Sequence, residues 1–506
     1  MQGFTTIDLG ILILYLAAVL FAGLYFSKKE MKGKEYFKSD GTVPWWVTSV
    51  SIFATLLSPI SFLSLAGNSY AGTWIMWFAQ LGMILAIPLT IRFFLPIYSS
   101  LDIDTAYHYL ELRYHSKGLR ILGAIMFIIF QVGRMSIIMY LPCMVLSELM
   151  GVNVNILIVI MGIIAMIYSY TGGLKSVLWT DFIQGSVLLI GVTYGLFYLM
   201  GHIDGGFSAV FDQLSNHGKF LAVDEPLFNP NLLKDSVFLL IVGAGFNTMS
   251  SYVSSQDIVQ RFTTTTDRKK LNKMMLTNGA LSIFIATVFY LIGTGLYTFY
   301  QVQGNPLPPA AQQDQIFASW IAFELPVGIT GVLLAAIYAA SQSTLSTGLN
   351  SVASSWTLDI QERLSKKELS FEKQTRIGQI VSLIVGVFAI LVAIILANGD
   401  VKSAYEWFNG FMGLVLGILI GTFVLGIFTK VGNTFGASLG FIASSAVMIY
   451  IKYFVSADQV SIWSYSMISI VVSLIVGIPA SMIWRKVKDD DSMPDPNTTI
   501  YNTKYK

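Results

Sequence analysis

Residues 53–69 read FATLLSPISFLSLAGNS, and five apolar segments later residues 242–257 read VGAGFNTMSSYVSSQD. Both lie in stretches apolar enough to cross a bilayer, and both carry residues that a helix in hydrocarbon avoids. Pro59 deprives the first of a backbone donor, with Ser58 and Ser61 beside it. Gly243 and Gly245 precede a polar run in the second. Lipid offers no partner to a freed N–H or C=O, so a spanning helix breaks only where protein or a wet cavity satisfies those groups. Two kinked helices packed through small residues would be the plainer alternative. Weak points five spans apart are where an inverted five-plus-five repeat places its two discontinuous helices, with a binding cavity between them. The odd spacing makes the two halves opposite in orientation.

The rest of the chain agrees with a membrane fold. Of 506 residues, 54% are hydrophobic and only 12% charged, against roughly 25% charged in soluble domains. Runs of about twenty apolar residues recur along the whole length, each long enough to span. We place thirteen spans at about 7–26, 44–70, 73–98, 119–149, 152–172, 177–201, 233–258, 274–300, 323–356, 375–397, 403–429, 433–453 and 461–485. The expected fold class is all-α and polytopic. Spans 2–6 form the first repeat (44–232 with its outer loop) and spans 7–11 the second (233–429). Before them stand one extra span and a basic loop (1–43), and after them two peripheral spans (430–485) and a polar tail (486–506), read as disordered.

Basic residues set the direction, because cytoplasmic loops are enriched in Lys and Arg. SKKEMKGKEYFK (27–38), Arg92 to Arg120, Lys175, RFTTTTDRKKLNK (261–273), ERLSKKELSFEKQTR (362–376), Lys430 and RKVK (485–488) alternate with loops such as MGVNVN and YQVQGNPLPPAAQQDQ. The alternation puts the N-terminus outside and the C-terminus in the cytoplasm of a multi-pass cell-membrane protein. The first apolar run has no basic region before it and no small-residue cleavage site after it, so we read it as a retained span. Cys143 is the single cysteine and cannot form an intrachain disulfide. The four histidines stand near segment ends and read as interfacial residues rather than metal ligands.

Span 9 holds the densest polar cluster, SQSTLSTGLN at 341–350. Successive residues of a helix turn by about 100°, so Ser343, Ser346 and Thr347 share a face and Thr344 sits at its edge. Helix glue by hydroxyls is worth only about 0.6–2 kcal/mol per interaction, and two such residues would serve it. A hard cation wants several oxygen ligands. The hydroxyls of Ser343 and Thr344, the Ala340 carbonyl and carbonyls freed at the break near Ala54 and Leu57 supply five without formal charge. That set suits a monovalent ion which must also leave, and sodium is the simplest candidate. Asp181, at the inner end of span 6, either joins Ser346 and Thr347 around a second cation or is an interfacial acid. Arg134 stands near the middle of span 4, where an arginine is costly and faces a cavity or a partner. Its planar fork grips a ligand carboxylate, or it pairs with a neighbouring carboxylate or helix carbonyls.

The motifs SIFATLLSPISFLS, SYTGGLKSVLWTDFIQG, SSQDIVQRF and AAIYAASQSTLSTGLNS resemble the sodium/solute symporter family over nearly the whole chain. The resemblance implies a LeuT-like inverted repeat with one extra span before it. Within the family, QVGRMSII and the Gln80 of WIMWFAQLG are most similar to the bacterial sialic acid symporters. That likeness implies sodium-coupled import of N-acetylneuraminate by alternating access, electrogenic with two sodium ions, by a monomer with no catalytic residues and no nucleic-acid partner. Arg134 would hold the sugar-acid carboxylate, and Ser58, Ser61 and Gln80 its hydroxyls, N-acetyl group or glycerol tail. Leu56 and Phe246 would line the pocket, to which Met76 and Asn247 also belong. Sodium site one would be Ala54, Leu57, Ala340, Ser343 and Thr344; site two would be Asp181, Ser343, Thr344, Ser346 and Thr347. Leu56 and Pro59 depart from the hydroxyl residues of relatives, and Met76 replaces an aromatic. Proline, pantothenate, another carboxylate or a sugar are the alternative solutes. A passive channel is disfavoured by the lack of a repeated filter motif, and an intramembrane hydrolase by the lack of a His beside any span serine.

Overall fold

The computed structural model describes residues 5–27, 37–38, 42–101, 103–171, 173–222, 225–231, 233–265, 267–308, 315–365, 369–399, 404–456, 459–488 and 494–501. The basic cluster Lys28, Lys29, Lys32 and Lys34, part of the 300–315 loop and Lys366 and Lys367 lie outside the described residues. Helix follows helix: α1 (Thr6–Ser27), α2 (Trp45–Leu56), α3 (Pro59–Ala71) and α4 (Ile75–Ser100, with a 3₁₀ start and a π turn). A short α5 (His108–Tyr114) precedes α6 (Lys117–Met150), α7 (Val154–Thr171) and α8 (Leu174–Gly201). The 202–232 connection contains α9 (Gly206–Asn216). The second half runs through α10 (Val237–Ser254), α11 (Gln256–Phe262), α12 (Arg268–Tyr297), α13 (Ile316–Glu324), α14 (Ile329–Ser355) and α15 (Phe371–Ala397). It ends with α16 (Ala404–Phe428), α17 (Thr434–Phe454) and α18 (Tyr465–Lys488). Among the described residues, eleven helices are long and apolar enough to cross a membrane, the bent pair α2–α3 makes a twelfth, and the apolar part of α7, Val154–Ile167, is shorter. Helix α7 as a whole, Val154–Thr171, has 18 residues and coincides with the expected span over 152–172.

The first break lies at Pro59. Leu57 (φ −83°, ψ 97°) and Ser58 (φ −92°, ψ 164°) are extended, and α3 restarts on Pro59, where a missing N–H costs nothing. The two halves bend by 62°. The second break falls inside the stretch that the sequence marks, 242–257, near its far end. Helix α10 continues through Gly243 and Gly245 and stops only at Ser255 (φ −95°, ψ 115°), after which α11 begins. The glycines serve close approach instead. A Cβ on Gly243 would lie 2.3 Å from the Trp463 carbonyl oxygen, and one on Gly82 would lie 2.5 Å from the Gly245 nitrogen. Small residues here let α10 press against α4 and the segment before α18, the packing that replaces a hydrophobic drive inside lipid.

Helix α14 is the axis of the molecule. All but two residues from Ile329 to Ser355 are buried, and it packs against α8, α6, α1, α15, α7 and α2. Its N-terminal end is capped by another helix: Asp8 of α1 accepts bonds from the Gly328 and Gly331 amides at 2.8 and 2.9 Å, a favourable place for negative charge.

Within the 486–506 tail, the described residues 494–501 depart from the disordered reading. The Asp495 side chain accepts from the Asn497 amide to start a 3₁₀ turn. The Thr498 carbonyl accepts from the Tyr109 hydroxyl at 3.0 Å, and the Ile500 amide donates to the Ile427 carbonyl at 3.2 Å. The Tyr501 hydroxyl donates to the Phe428 carbonyl at 2.9 Å. Polar composition alone argues for a solvated tail, but these residues satisfy carbonyls at the end of α16, which a helix terminus leaves open.

Candidate functional site

A cavity of about 870 Å³, counted to its open mouth, lies between the broken helices. Leu56, Ile60 and Ser61 come from the α2–α3 break, Gln80 and Met83 from α4, Phe130 and Arg134 from α6. Asn247, Thr248 and Ser251 come from α10, and Ser255 and Ile258 from the second break. The remaining wall, Phe408, Asn409, Met412 and Trp463, is contributed by α16 and the segment before α18. The structure therefore brings Leu56, Ser61, Gln80, Arg134 and Asn247 of the sequence-derived set to one cavity. Ser58, Met76 and Phe246 do not line it. Ser58 is buried as the cap of α3, Met76 packs in the hydrophobic cluster around Trp463, and Phe246 packs against the aromatic core near α5. Sequence reasoning missed the α16 wall because Phe408 and Met412 look like any lipid-span residues; the amide of Asn409 inside an apolar run was the available signal.

Arg134 pairs with both kinds of protein partner that the sequence leaves open, a neighbouring carboxylate and a helix carbonyl. Its Nη1 donates to Asp257 Oδ2 at 2.5 Å, and its Nη2 donates to the Thr55 carbonyl at 2.5 Å. The Nε is buried without a partner. The guanidinium carbon lies 6.0 Å from the centre of the Phe408 ring, within cation–π range. Both charges of the pair are out of water, the Arg134 side chain 5% exposed and Asp257 0%. The second carboxylate oxygen of Asp257 accepts from the Ser255 hydroxyl, the residue whose extended backbone breaks the helix. The broken second helix thus carries the arginine's anion, and the broken first helix its carbonyl.

Asp181 sits in the second turn of α8 and is fully buried, so it is no interfacial cap. Its Oδ1 accepts from Ser343 at 2.7 Å, and its Oδ2 accepts from Ser51 at 2.6 Å and Thr347 at 3.2 Å. Arg261 of α11 also reaches it, its Nη2 2.8 Å from Oδ2 and 2.7 Å from the Thr347 hydroxyl. Two members of the proposed second cation site do not touch Asp181. Ser346 donates to the Ser343 carbonyl at 3.0 Å, and Thr344 to the Ala340 carbonyl at 3.0 Å. Each hydroxyl bonds back within its own helix, a common resort of Ser and Thr in apolar helices, and keeps lone pairs for a cation. The Ser343, Thr344 and Ala340 oxygens belong to α14, which packs on α2 and α3, the elements that bear Ala54 and Leu57. Ser51 and Arg261 were not singled out by the sequence. Arg261 also bonds the Asp257 backbone carbonyl, so one short helix connects the two ion pairs.

Several comparisons bear on this arrangement. A family model described as the sodium:solute symporter family matches residues 36–444. The sodium/sialic acid symporter SiaT of Proteus mirabilis (strain HI4320) is 33% identical over 500 residues, covering 98% of this chain and all of that protein. The sodium/sialic acid symporter NanT of Aliivibrio fischeri (strain ATCC 700601 / ES114) is 30% identical over 498 residues, 98% of this chain and 97% of that one. A solved Na⁺-coupled sialic acid symporter in a substrate-bound outward-open state superposes with a TM-score of 0.88 at 32% identity, covering 95% of this chain and 98% of that chain. Mhp1, a nucleobase-cation-symport-1 transporter, shares the fold at a TM-score of 0.57 and 14% identity, over 94% of this chain and 98% of its own.

Proposed function

The chain belongs to the sodium:solute symporter family, and from that membership we propose that it imports a sialic acid, N-acetylneuraminate first among them, with sodium by alternating access across the cell membrane. The observation that carries the solute class is Arg134: a buried guanidinium on the wall of a cavity whose other polar groups include Ser61, Gln80, Asn247, Thr248, Ser251, Ser255 and Asn409. An anion with several hydroxyl and amide groups matches that lining, whereas a neutral sugar offers the guanidinium on the wall no charge of its own. The relatives SiaT and NanT, full-length matches at 33% and 30% identity, are named for the same solute.

In this reading the first sodium ties α14 to the broken α2–α3, through Ser343, Thr344 and the Ala54, Leu57 and Ala340 carbonyls. A second sodium takes Asp181, Ser343 and Thr347, with Thr344 and Ser346 near it, once Arg261 has withdrawn. Sodium and solute favour the same conformation, and each therefore raises the affinity of the other. Two sodium ions with one carboxylate move one net charge inward, about 2.3 kcal/mol for each 100 mV. The repeats are 44–232 and 233–429, the N-terminus is outside, the C-terminus is cytoplasmic, and the monomer is the working unit.

The test is a solute panel read as sodium-dependent thermal stabilisation of the purified protein, followed by uptake into proteoliposomes. N-acetylneuraminate should raise the melting temperature in sodium and not in potassium, and uptake should follow the sodium gradient. Stabilisation by proline, pantothenate or glucose in its place would overturn the assignment. Uptake indifferent to sodium and to membrane potential would overturn the coupling.

A further inference from the structure

We propose that Asp257 is a built-in competitor for Arg134: its carboxylate occupies the seat that the transported carboxylate takes, and the two exchange during binding. This deepens the import reading and rests on it. A carboxylate grips a guanidinium best through two parallel N–H bonds. Here Nη1 is spent on Asp257 at 2.5 Å, Nη2 on the Thr55 carbonyl at 2.5 Å, and only Nε has no partner. N–H groups remain on all three nitrogens, but the charge is already neutralised. A second carboxylate would sit beside Asp257 at like charge, so a grip as strong as an ion pair needs Asp257 released. The Thr55 carbonyl is backbone in the last turn of α2, itself held by packing. Asp257 is a side chain on a helix of seven residues that starts from the extended Ser255, and Ser255 and Arg134 both face the cavity. Asp257 is the bond that gives.

The exchange has an electrostatic logic. A buried guanidinium without an anion is several kcal/mol too costly, so an empty carrier needs a surrogate. Asp257 supplies it. When the solute takes Arg134, the released Asp257 carboxylate needs a cation in its turn. Arg134, Asp257, Arg261 and Asp181 are four buried charges that sum to zero; one solute anion with the first sodium keeps the sum at zero, and the second sodium is the net charge moved. Solute binding without sodium leaves one carboxylate unpaired. The competitor is thus also a reason for coupling, and it favours solutes that carry a carboxylate of their own.

The experiment compares wild type, Asp257→Asn and Asp257→Glu for N-acetylneuraminate affinity at low and high sodium. Asp257→Asn removes the competitor, so affinity at low sodium should rise roughly tenfold, as expected when a binding-competent state no longer has to be purchased, and its sodium dependence should flatten. Asp257→Glu keeps a competitor and should retain steep sodium dependence. Affinity in Asp257→Asn that is unchanged, or lost as in Arg134→Ala, overturns the proposal, as does a flattened sodium response in Asp257→Glu. A second readout needs no natural solute: formate, against chloride at equal ionic strength, should raise the melting temperature of Asp257→Ala and leave wild type unmoved. If wild type ignores N-acetylneuraminate, the import reading falls by itself. The exchange then stands on formate rescue and falls without it.

Discussion

Arg134 and Asp181 show how much a residue's chemistry depends on what it already holds. Each was singled out by its charge in an apolar run, and each is paired across the molecule, Arg134 with Asp257 and Asp181 with Arg261. A buried charge cannot wait unpaired for its ligand. Arg134→Ala should abolish N-acetylneuraminate-dependent stabilisation while the sodium-dependent shift in melting temperature persists; loss of both would point to a collapsed site instead of a missing anion partner. Asp181→Asn should lower the sodium Hill coefficient from near two toward one and remove the net charge moved per solute, read as current in proteoliposomes. An unaltered coefficient and current would leave a single sodium site.

Short elements at the ends of long helices carry the ionic bracing of this fold. Arg120, at the start of α6, donates from Nε to Asp359 at 2.6 Å and from Nη1 to Glu111 of α5 at 2.8 Å. Asp359 lies in a π turn continuing α14 and also accepts from Thr105 at 2.5 Å. Removing one partner of such a buried pair costs about 3–5 kcal/mol, so Asp359→Asn should lower the melting temperature strongly, and a change within error would show the pair to be dispensable. On the same face, burial, reinforced by the Arg120 charge, pushes the His108 imidazole down to about 4. Its folded pKa is below its unfolded value, so the folded state binds fewer protons between the two. Stability is therefore fully present above about pH 6.5 and is lost as the pH falls toward 4. His108→Gln should lose less thermal stability between pH 7 and pH 5 than wild type does.

The whole molecule wraps a buried polar axis, α14, in apolar helices, and its last described residues strap α5 to the C-terminal end of α16. Thr498 and Thr499 are 1% exposed; the Thr498 carbonyl accepts from the Tyr109 hydroxyl, and Ile500 and Tyr501 donate to the Ile427 and Phe428 carbonyls. Deleting residues 494–506 should lower the melting temperature by a few degrees and open the Tyr109 region to faster amide exchange; unchanged exchange there would mean the strap contributes nothing. The direction of insertion belongs to this scale as well. A tag before α1 should react with an impermeant label in intact cells, and labelling only after lysis would invert the assigned orientation.

The sequence by itself determined the fold class, the place of the first break and the identity of the residues with membrane-rare chemistry. Apolar run length, Pro59, the hydroxyls of 341–350 and the lone Arg134 each carry a local cost that shows in one dimension. It marked the second break only as the stretch 242–257; that the break falls at Ser255, while Gly243 and Gly245 stay helical, shows only once a neighbour is seen pressed against those glycines. It read the tail as solvated because composition does not reveal which carbonyls a distant helix leaves open. Partnership was the part only the tertiary structure decided. Asp257 is 123 residues from Arg134, and Arg261 is 80 from Asp181. Electrostatic pairing is settled by distance in space, and a single chain read in order carries no record of it.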